Sequence, residues 1–313
     1  MDLITFGEAM VSFTPLENVS IKYASAFGKK IAGAESNVAI GLSKLGKKVG
    51  WFGKLGNDEF GEYILRELKG EGVDTSSVVF SKEPTGIMFK QLSNGGETSV
   101  FYYRKASAAS TMTSEELPLD YMKKAKILHV SGITPALSDS CKELVFSAIN
   151  FAKANNILVS FDPNIRLKLW SKEEARQCLS YIIKQADIVL IGDEEAEILL
   201  ETKDTNNIIE TLRRQGVSTI AIKQGENGAV VANQKEIHKI NALQINVVDT
   251  IGAGDAFNSG FLCGILENCS IDTCGLMGTI MGACAASSIG DIEGLINRSK
   301  LDIMLNKGKI VYR

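Results

Sequence analysis

Short apolar runs alternate along the chain with longer stretches in which apolar positions recur every three or four residues. The runs at 3–6, 49–52, 127–130, 158–161, 188–191 and 219–222 are too short for helices and predict strands buried on both faces. The stretches at 37–45, 59–69, 141–154 and 172–184 carry an apolar stripe at helical spacing. Strand, helix, strand, helix predicts an α/β fold, a doubly wound, mostly parallel sheet covered by helices on both sides. No repeat of solenoid period interrupts the alternation.

The rhythm breaks between Thr85 and Arg104. There, apolar strands at 87–92 and 98–103 flank Asn94-Gly95-Gly96, a tight-turn signal, and predict a hairpin. Residues 10–13 and 21–27 read as further short strands outside the main alternation. Together they predict a small β-sheet lid, inserted at about 10–30 and 84–105 of a single domain spanning 1–313. Ligands in a doubly wound fold gather at the carboxyl ends of the strands, and a lid belongs there.

Composition narrows the function. The 313 residues are 45% hydrophobic and 23% charged, with a net charge of -3 and no basic stripe, which excludes the footprint of a nucleic-acid binder. The densest basic pairs, Lys29-Lys30 and Lys47-Lys48, read as solvated ends of elements. Six cysteines form no C-x-x-C pair, and four lie in or beside apolar helical segments, the pattern of free thiols in a reducing compartment. His129 and His238 read as structural rather than as zinc ligands. No apolar run approaches a membrane span and no leader pattern opens the chain, so a cytoplasmic protein without a membrane partner is expected.

The densest chemistry lies in Asp249-Thr250-Ile251-Gly252-Ala253-Gly254-Asp255-Ala256-Phe257. Phe257, Gly260, Phe261, Gly264 and Ile265 recur at helical spacing, which predicts a helix from near Gly254 to about Glu267. Its first N–H groups lack intrahelical partners and carry the positive end of the helix dipole. Gly252 and Gly254 let those groups approach a phosphoryl group, and the N–H groups of Ala253 to Asp255 would stabilise it. Asp255 then stands where a base could take a proton from an attacking hydroxyl.

Other motifs are weighed by context. The run from Gly41 to Lys47 almost spells a phosphate-binding loop, but Lys48 replaces the metal-binding hydroxyl, and Val38, Leu42 and Leu45 place Gly41 inside a helix with Gly46 at its cap. Gly33-Ala34-Glu35-Ser36-Asn37 opens that helix, either capped by Ser36 or as a turn whose Gly33 and Asn37 face a ligand. Alternation along the hairpin turns Tyr103 away from Tyr102 and Arg104. Arg166, after the strand at 158–161, sits at a carboxyl edge, and with Arg104 it would suit a ligand carrying a carboxylate. Lys223 to Gly228 reads as a turn joining two strands.

The run from Asp249 to Leu262 fits the signature of the ribokinase-like (PfkB) family of sugar kinases. Residues 101–105, 129–137, 162–166 and Gly290-Asp291 resemble its 2-keto-3-deoxygluconate kinase branch. The resemblance implies Asp255 as catalytic base, with Gly252, Ala253 and Gly254 forming the anion hole. It implies a substrate site at Gly33, Ala34, Asn37, Tyr103, Arg104, Arg166 and Asp291, although Met88 stands where a tyrosine is often found. Asn164, Lys223, Gly225, Gly228, Ala283 and Ser287 would meet ATP, and Glu195 would help hold Mg2+, with Gly192 in place of the family's Asn. A monovalent cation near Asp249 and residues 283–290, and pairing of two copies through the lid, are further implications. The expected partners are therefore a small sugar acid and ATP. Fructokinase on the same scaffold, or a non-catalytic sugar- and nucleotide-binding regulator, are the alternatives.

Overall fold

The structure is a computed structural model describing residues 1–17, 19–92 and 98–306, so the turn predicted at Asn94-Gly95-Gly96 lies outside the described residues. The chain opens with β1 (Leu3–Phe6), β2 (Met10–Pro15), β3 (Phe27–Ala32), α1 (Ala34–Lys44), β4 (Val49–Phe52) and β5 (Lys54–Gly56). It continues through α2 (Glu59–Gly70), β6 (Val79–Ser81), β7 (Ile87–Leu92), β8 (Thr98–Tyr103), the short α3 (Leu119–Met122), β9 (Ile127–Ser131) and α4 (Asp139–Ala154). Then come β10 (Leu158–Asp162), α5 (Lys172–Ile183), β11 (Ile188–Gly192), α6 (Asp193–Leu200), α7 (Thr205–Arg214) and β12 (Thr219–Lys223). The last elements are β13 (Ala229–Asn233), β14 (Ile237–Ile240), α8 (Ala253–Leu266), α9 (Ile271–Ala286) and α10 (Arg298–Asn306).

Eight strands form the main sheet in the order β14-β13-β12-β11-β10-β9-β1-β4, parallel from β4 to β12 and antiparallel at the β13 and β14 edge. Successive strand residues feed opposite cores, which is why the runs read as apolar throughout. Leu3, Ile127, Ile188 and Leu190 pack with Val38, Leu42, Phe261 and Met277 on one side. Ile4, Leu128, Val189 and Ile191 pack with Leu144, Leu179, Ile182 and Leu212 on the other. Gly41 is a packing residue of α1, because a β-carbon there would lie 2.4 Å from Ser259 Oγ on α8. The phosphate-loop reading is thereby excluded.

The smaller sheet has the order β3-β2-β7-β8. Residues 21–27 are not one strand as expected: Ile21–Tyr23 is a 3-10 turn, and pairing with β2 begins only where Phe27 meets Pro15. One face of this sheet carries Met10, Ala32, Met88, Val100 and Tyr102. The opposite face joins Phe13, Phe27, Phe89 and Tyr103 in an aromatic chain. A separate parallel pair, β5 and β6, was not legible in the pattern because each strand has only three residues. Lys47 is not a freely solvated end, since its ammonium pairs with Glu267 at 2.6 Å. Cys141, Cys178, Cys263, Cys269 and Cys274 are free thiols. Among the described residues no helix is long and apolar enough to cross a membrane.

Candidate active site

Parallel strands deliver their carboxyl ends to one edge, and that edge collects Glu8 after β1, Ser131 on β9, Asp162 on β10, Gly192 on β11 and Lys223 on β12. The N-terminus of α8 opens onto the same place. Gly252, its N-cap, has φ 83°, and a β-carbon there would lie 2.7 Å from the Asp291 carbonyl oxygen, so only glycine lets the turn close on Asp291. Ala253 N–H folds back to the Thr250 carbonyl at 3.2 Å and is not free as expected. The N–H groups of Gly254 and Asp255 carry no hydrogen bond among the described residues. Such N–H groups at a helix N-terminus can receive an anion.

Asp255 lies in the first turn of α8 and is buried. Its Oδ2 accepts from Asn37 Nδ2 at 2.8 Å, and its Oδ1 from Asn164 Nδ2 at 3.4 Å. Burial pushes its pKa up to about 7, and the charges of Asp162 and Asp291 add to that against the Asn37 hydrogen bond and Arg166. A carboxylate poised there exchanges a proton near neutral pH.

Asn37 reaches this point because Gly33, at φ 146°, turns β3 directly into α1. The helix is capped at Gly33 and not by Ser36, whose Oγ donates to the Gly33 carbonyl. Ala34 and Glu35 follow, with Glu35 buried under the site and accepting from Ser131 and Thr134. The same Asn37 amide also donates to Asp291 Oδ2 at 3.2 Å. Lys90 of β7 reaches down from the small sheet to Asp291 and lies 3.6 Å from Asp249 Oδ2. That sheet therefore covers the edge where α8 begins.

Lys223 supplies the cation at the other side of the mouth. Its Nζ donates to Asp162 Oδ2 at 2.8 Å and lies 3.8 Å from the position of a β-carbon on Gly254. Burial opposes its charge, but Asp162, Glu195 and Asp255 outweigh it and raise the pKa. Gly225 starts the 3-10 turn after β12, and Gly228 ends it with its α-carbon packed against the Ile240 carbonyl. Gly282 places the last turns of α9 beside the Ala253 carbonyl, with Ala283 the next residue along the helix, while Ser287 is exposed just past the helix end.

Glu195 is first of all a clamp. Its two oxygens accept from Gly192 N–H at 2.8 Å and Ile165 N–H at 3.0 Å, fixing the loop that bears Asn164 and Arg166. No cluster of three or more acidic, His or Cys side chains forms a metal cage among the described residues. Mg2+ needs none, because it leans on phosphates with one or two carboxylates. Burial and then the Asp162 charge raise the Glu195 pKa against the Lys223 ammonium, which already pairs with Asp162 at 2.8 Å; Glu195 and Asp162 are the carboxylates at this edge that would meet such an ion. A monovalent ion at Asp249 fits poorly, since the Lys90 ammonium is already there.

Tyr103 and Arg104 stand apart from the other predicted substrate residues. Tyr103 is two-thirds exposed on the outer face of the small sheet, and Tyr102 is the tyrosine turned inward, as strand alternation requires. Arg104 points inward but is ion-paired with the buried Glu8, whose other oxygen accepts from Ser107. The two arginines are thus unequal: Arg166 is exposed and carries no ion pair among the described residues, while Arg104 is already neutralised.

A model of the pfkB family carbohydrate kinases matches residues 1–298. The chain belongs to that family. As a PfkB kinase it is 39% identical to a 2-dehydro-3-deoxygluconokinase of Bacillus subtilis, over 100% of this chain and 98% of that one. It is 33% identical to fructokinase-2 of Solanum lycopersicum, over 98% and 96% of the two chains. A sugar kinase from Pyrococcus horikoshii in complex with ATP superposes with a TM-score of 0.81 at 31% identity, covering 95% of this chain and 96% of that one.

Three residues of this PfkB kinase's site escaped the sequence reading. Asp162 was legible as the residue directly after the strand predicted at 158–161, hence at the carboxyl edge. Glu8 follows β1 in the same way. Lys90 shares a strand face with Met88, and a charge on an apolar face was the signal.

Proposed function

We propose that this PfkB kinase transfers the terminal phosphoryl group of ATP to the terminal hydroxyl of 2-keto-3-deoxygluconate. One observation carries the reading: Asp255, with a pKa near 7, stands at the open mouth of α8 beside free N–H groups and the Lys223 ammonium. The sugar hydroxyl gives its proton to Asp255 as its oxygen bonds to phosphorus. The bond from phosphorus to the bridging oxygen breaks, and ADP leaves. Gly254 and Asp255 N–H groups and Lys223 face the charge on the phosphoryl oxygens. The turn at 225–228 and the end of α9 at Ala283 and Ser287 border the nucleotide. Mg2+, when bound, neutralises the phosphates next to Glu195 and Asp162.

On the sugar side, Asn37 and Asp291 flank the attacking hydroxyl, Gly33 and Ala34 allow close approach, and Arg166 grips the carboxylate. The likeness to the Bacillus subtilis kinase over the whole chain supports that substrate. The Glu8–Arg104 pair favours a second reading, a neutral ketose such as fructose, because it leaves one free arginine in place of two. ADP release with Mg-ATP decides between them, across 2-keto-3-deoxygluconate, its galactonate epimer, fructose, ribose and gluconate. A kcat/KM highest for the keto-deoxy acids supports the proposal, and a preference for fructose replaces it.

The aromatic outer face of the lid, with Phe101 and Tyr103 more than half exposed, suits a second copy of this chain. Sedimentation of Phe101→Asp beside the unaltered protein tests that pairing. Free thiols at Cys141, Cys178, Cys263, Cys269 and Cys274 fit a cytoplasmic, reducing workplace.

A further inference from the structure

Two carboxylates lie beneath the anion hole with almost no exposure. Asp249 accepts from Ile251 N–H at 3.1 Å and Gly290 N–H at 3.3 Å, joining the turn before α8 to the segment after α9. Asp291 accepts from Asn37 at 3.2 Å, and the same amide holds Asp255. Three carboxylates in one buried cluster repel one another and call for positive charge opposite them. The cation facing Asp249 and Asp291 comes from the lid, whereas Lys223 and Arg166 face Asp255 from the main sheet's edge. Lys90 of β7, its side chain 3% exposed, touches Asp291 and stands 3.6 Å from Asp249. Lys30 of β3 donates to the Ile289 carbonyl at 2.6 Å and pairs with Glu293 at 3.3 Å.

We infer that Lys90 is a positioning residue which neutralises Asp249 and Asp291 from the lid, so that the anion hole needs no inorganic monovalent cation. An inorganic ion would sit in the floor whether or not the lid covered it. A lysine on β7 brings its charge only with the lid in place. Covering the sugar and setting the Asp291–Asn37–Asp255 chain then become one event. The inference deepens the kinase reading proposed above, and its first measurement does not depend on that reading.

The test compares the protein with Lys90→Met in KCl and in choline chloride at matched ionic strength. Melting temperature is read first, without substrates. The unaltered protein should melt at the same temperature in both salts, whereas Lys90→Met should melt lower in choline and recover in K+. Turnover is read second: kcat of the unaltered protein should ignore the salt, and kcat of Lys90→Met should fall by about 100-fold in choline and regain part of it with K+ or NH4+. Lys90→Arg, which keeps the charge, should remain indifferent to salt. A merely structural lysine would lower the melting temperature equally in both salts. K+ dependence in the unaltered protein, or a Lys90→Met variant blind to K+, overturns the inference, and the first needs no variant to fold. If no sugar yields ADP, the kinase reading fails while the melting comparison still decides the role of Lys90.

Discussion

The side-chain amide of Asn37, on the first helix, lies 2.8 Å from the carboxylate of Asp255, on a helix 218 residues further along the chain. That contact orients the group placed to act as base and lowers its proton affinity against the larger effect of burial. Because the amide favours the ionised form, Asn37→Ala should raise the Asp255 pKa above about 7 and move the acid limb of the kcat profile to higher pH. A limb that stays in place would remove Asn37 from this role.

Asp255→Asn should lose about 100- to 10,000-fold in kcat while still binding sugar and nucleotide. In the unaltered enzyme, activity should rise with pH through about 7 as Asp255 ionises. The stability effect has the opposite sign. Between 3.8 and about 7 the unfolded chain releases this proton and the folded one keeps it, so stability falls as pH rises through that window. Asp255→Asn should abolish that fall in a pH series of melting curves. Near-normal turnover by the variant would refute the assignment.

Arg166→Ala should lower kcat/KM for a carboxylated sugar by about 10- to 100-fold, the worth of one charged hydrogen bond, and leave fructose nearly unaffected. Equal losses on both sugars would mean that Arg166 serves the nucleotide or the fold.

Glu8→Ala leaves the Arg104 guanidinium buried without a partner and should cost about 3–5 kcal/mol in urea unfolding. Glu8→Ala combined with Arg104→Met should recover much of that loss. A double variant no more stable than the single one would show that Arg104 is not the group destabilised.

Away from the site, Glu267 joins α8 to Lys47 and Arg298. Burial alone would raise its pKa, but these two cations hold it down to about 2. Its contribution to stability is complete above the ordinary 4.5 and should be lost as pH falls from 4.5 to about 2. Glu267→Gln should flatten acid unfolding in that window, and an unchanged slope would discount the network.

Most of the architecture was legible along the chain, and the reason is local. An apolar run of four or five residues between helical stripes has few other uses, so the six parallel strands, their helices and the start of α8 near Gly254 follow from periodicity. Asp255 was legible for the same kind of reason, since Gly252, Gly254 and the acid act within one turn. The strands β5 and β6 were not, because three residues carry no period, and residues 21–26 lack the partner edge that makes Phe27–Ala32 a strand.

Tertiary structure alone decided which side chains meet. Glu8 and Arg104 are 96 residues apart, and Lys90 and Asp291 are 201 apart. Strand alternation could say that Tyr103 faces away from Arg104, but not which face covers the site. Whether a buried charge is free to grip a substrate or is already neutralised depends on what the fold brings opposite it. Periodicity specifies the faces of each element because neighbouring residues share one backbone geometry. Pairing of charges is specified by packing between elements, where no sequence spacing carries the distance.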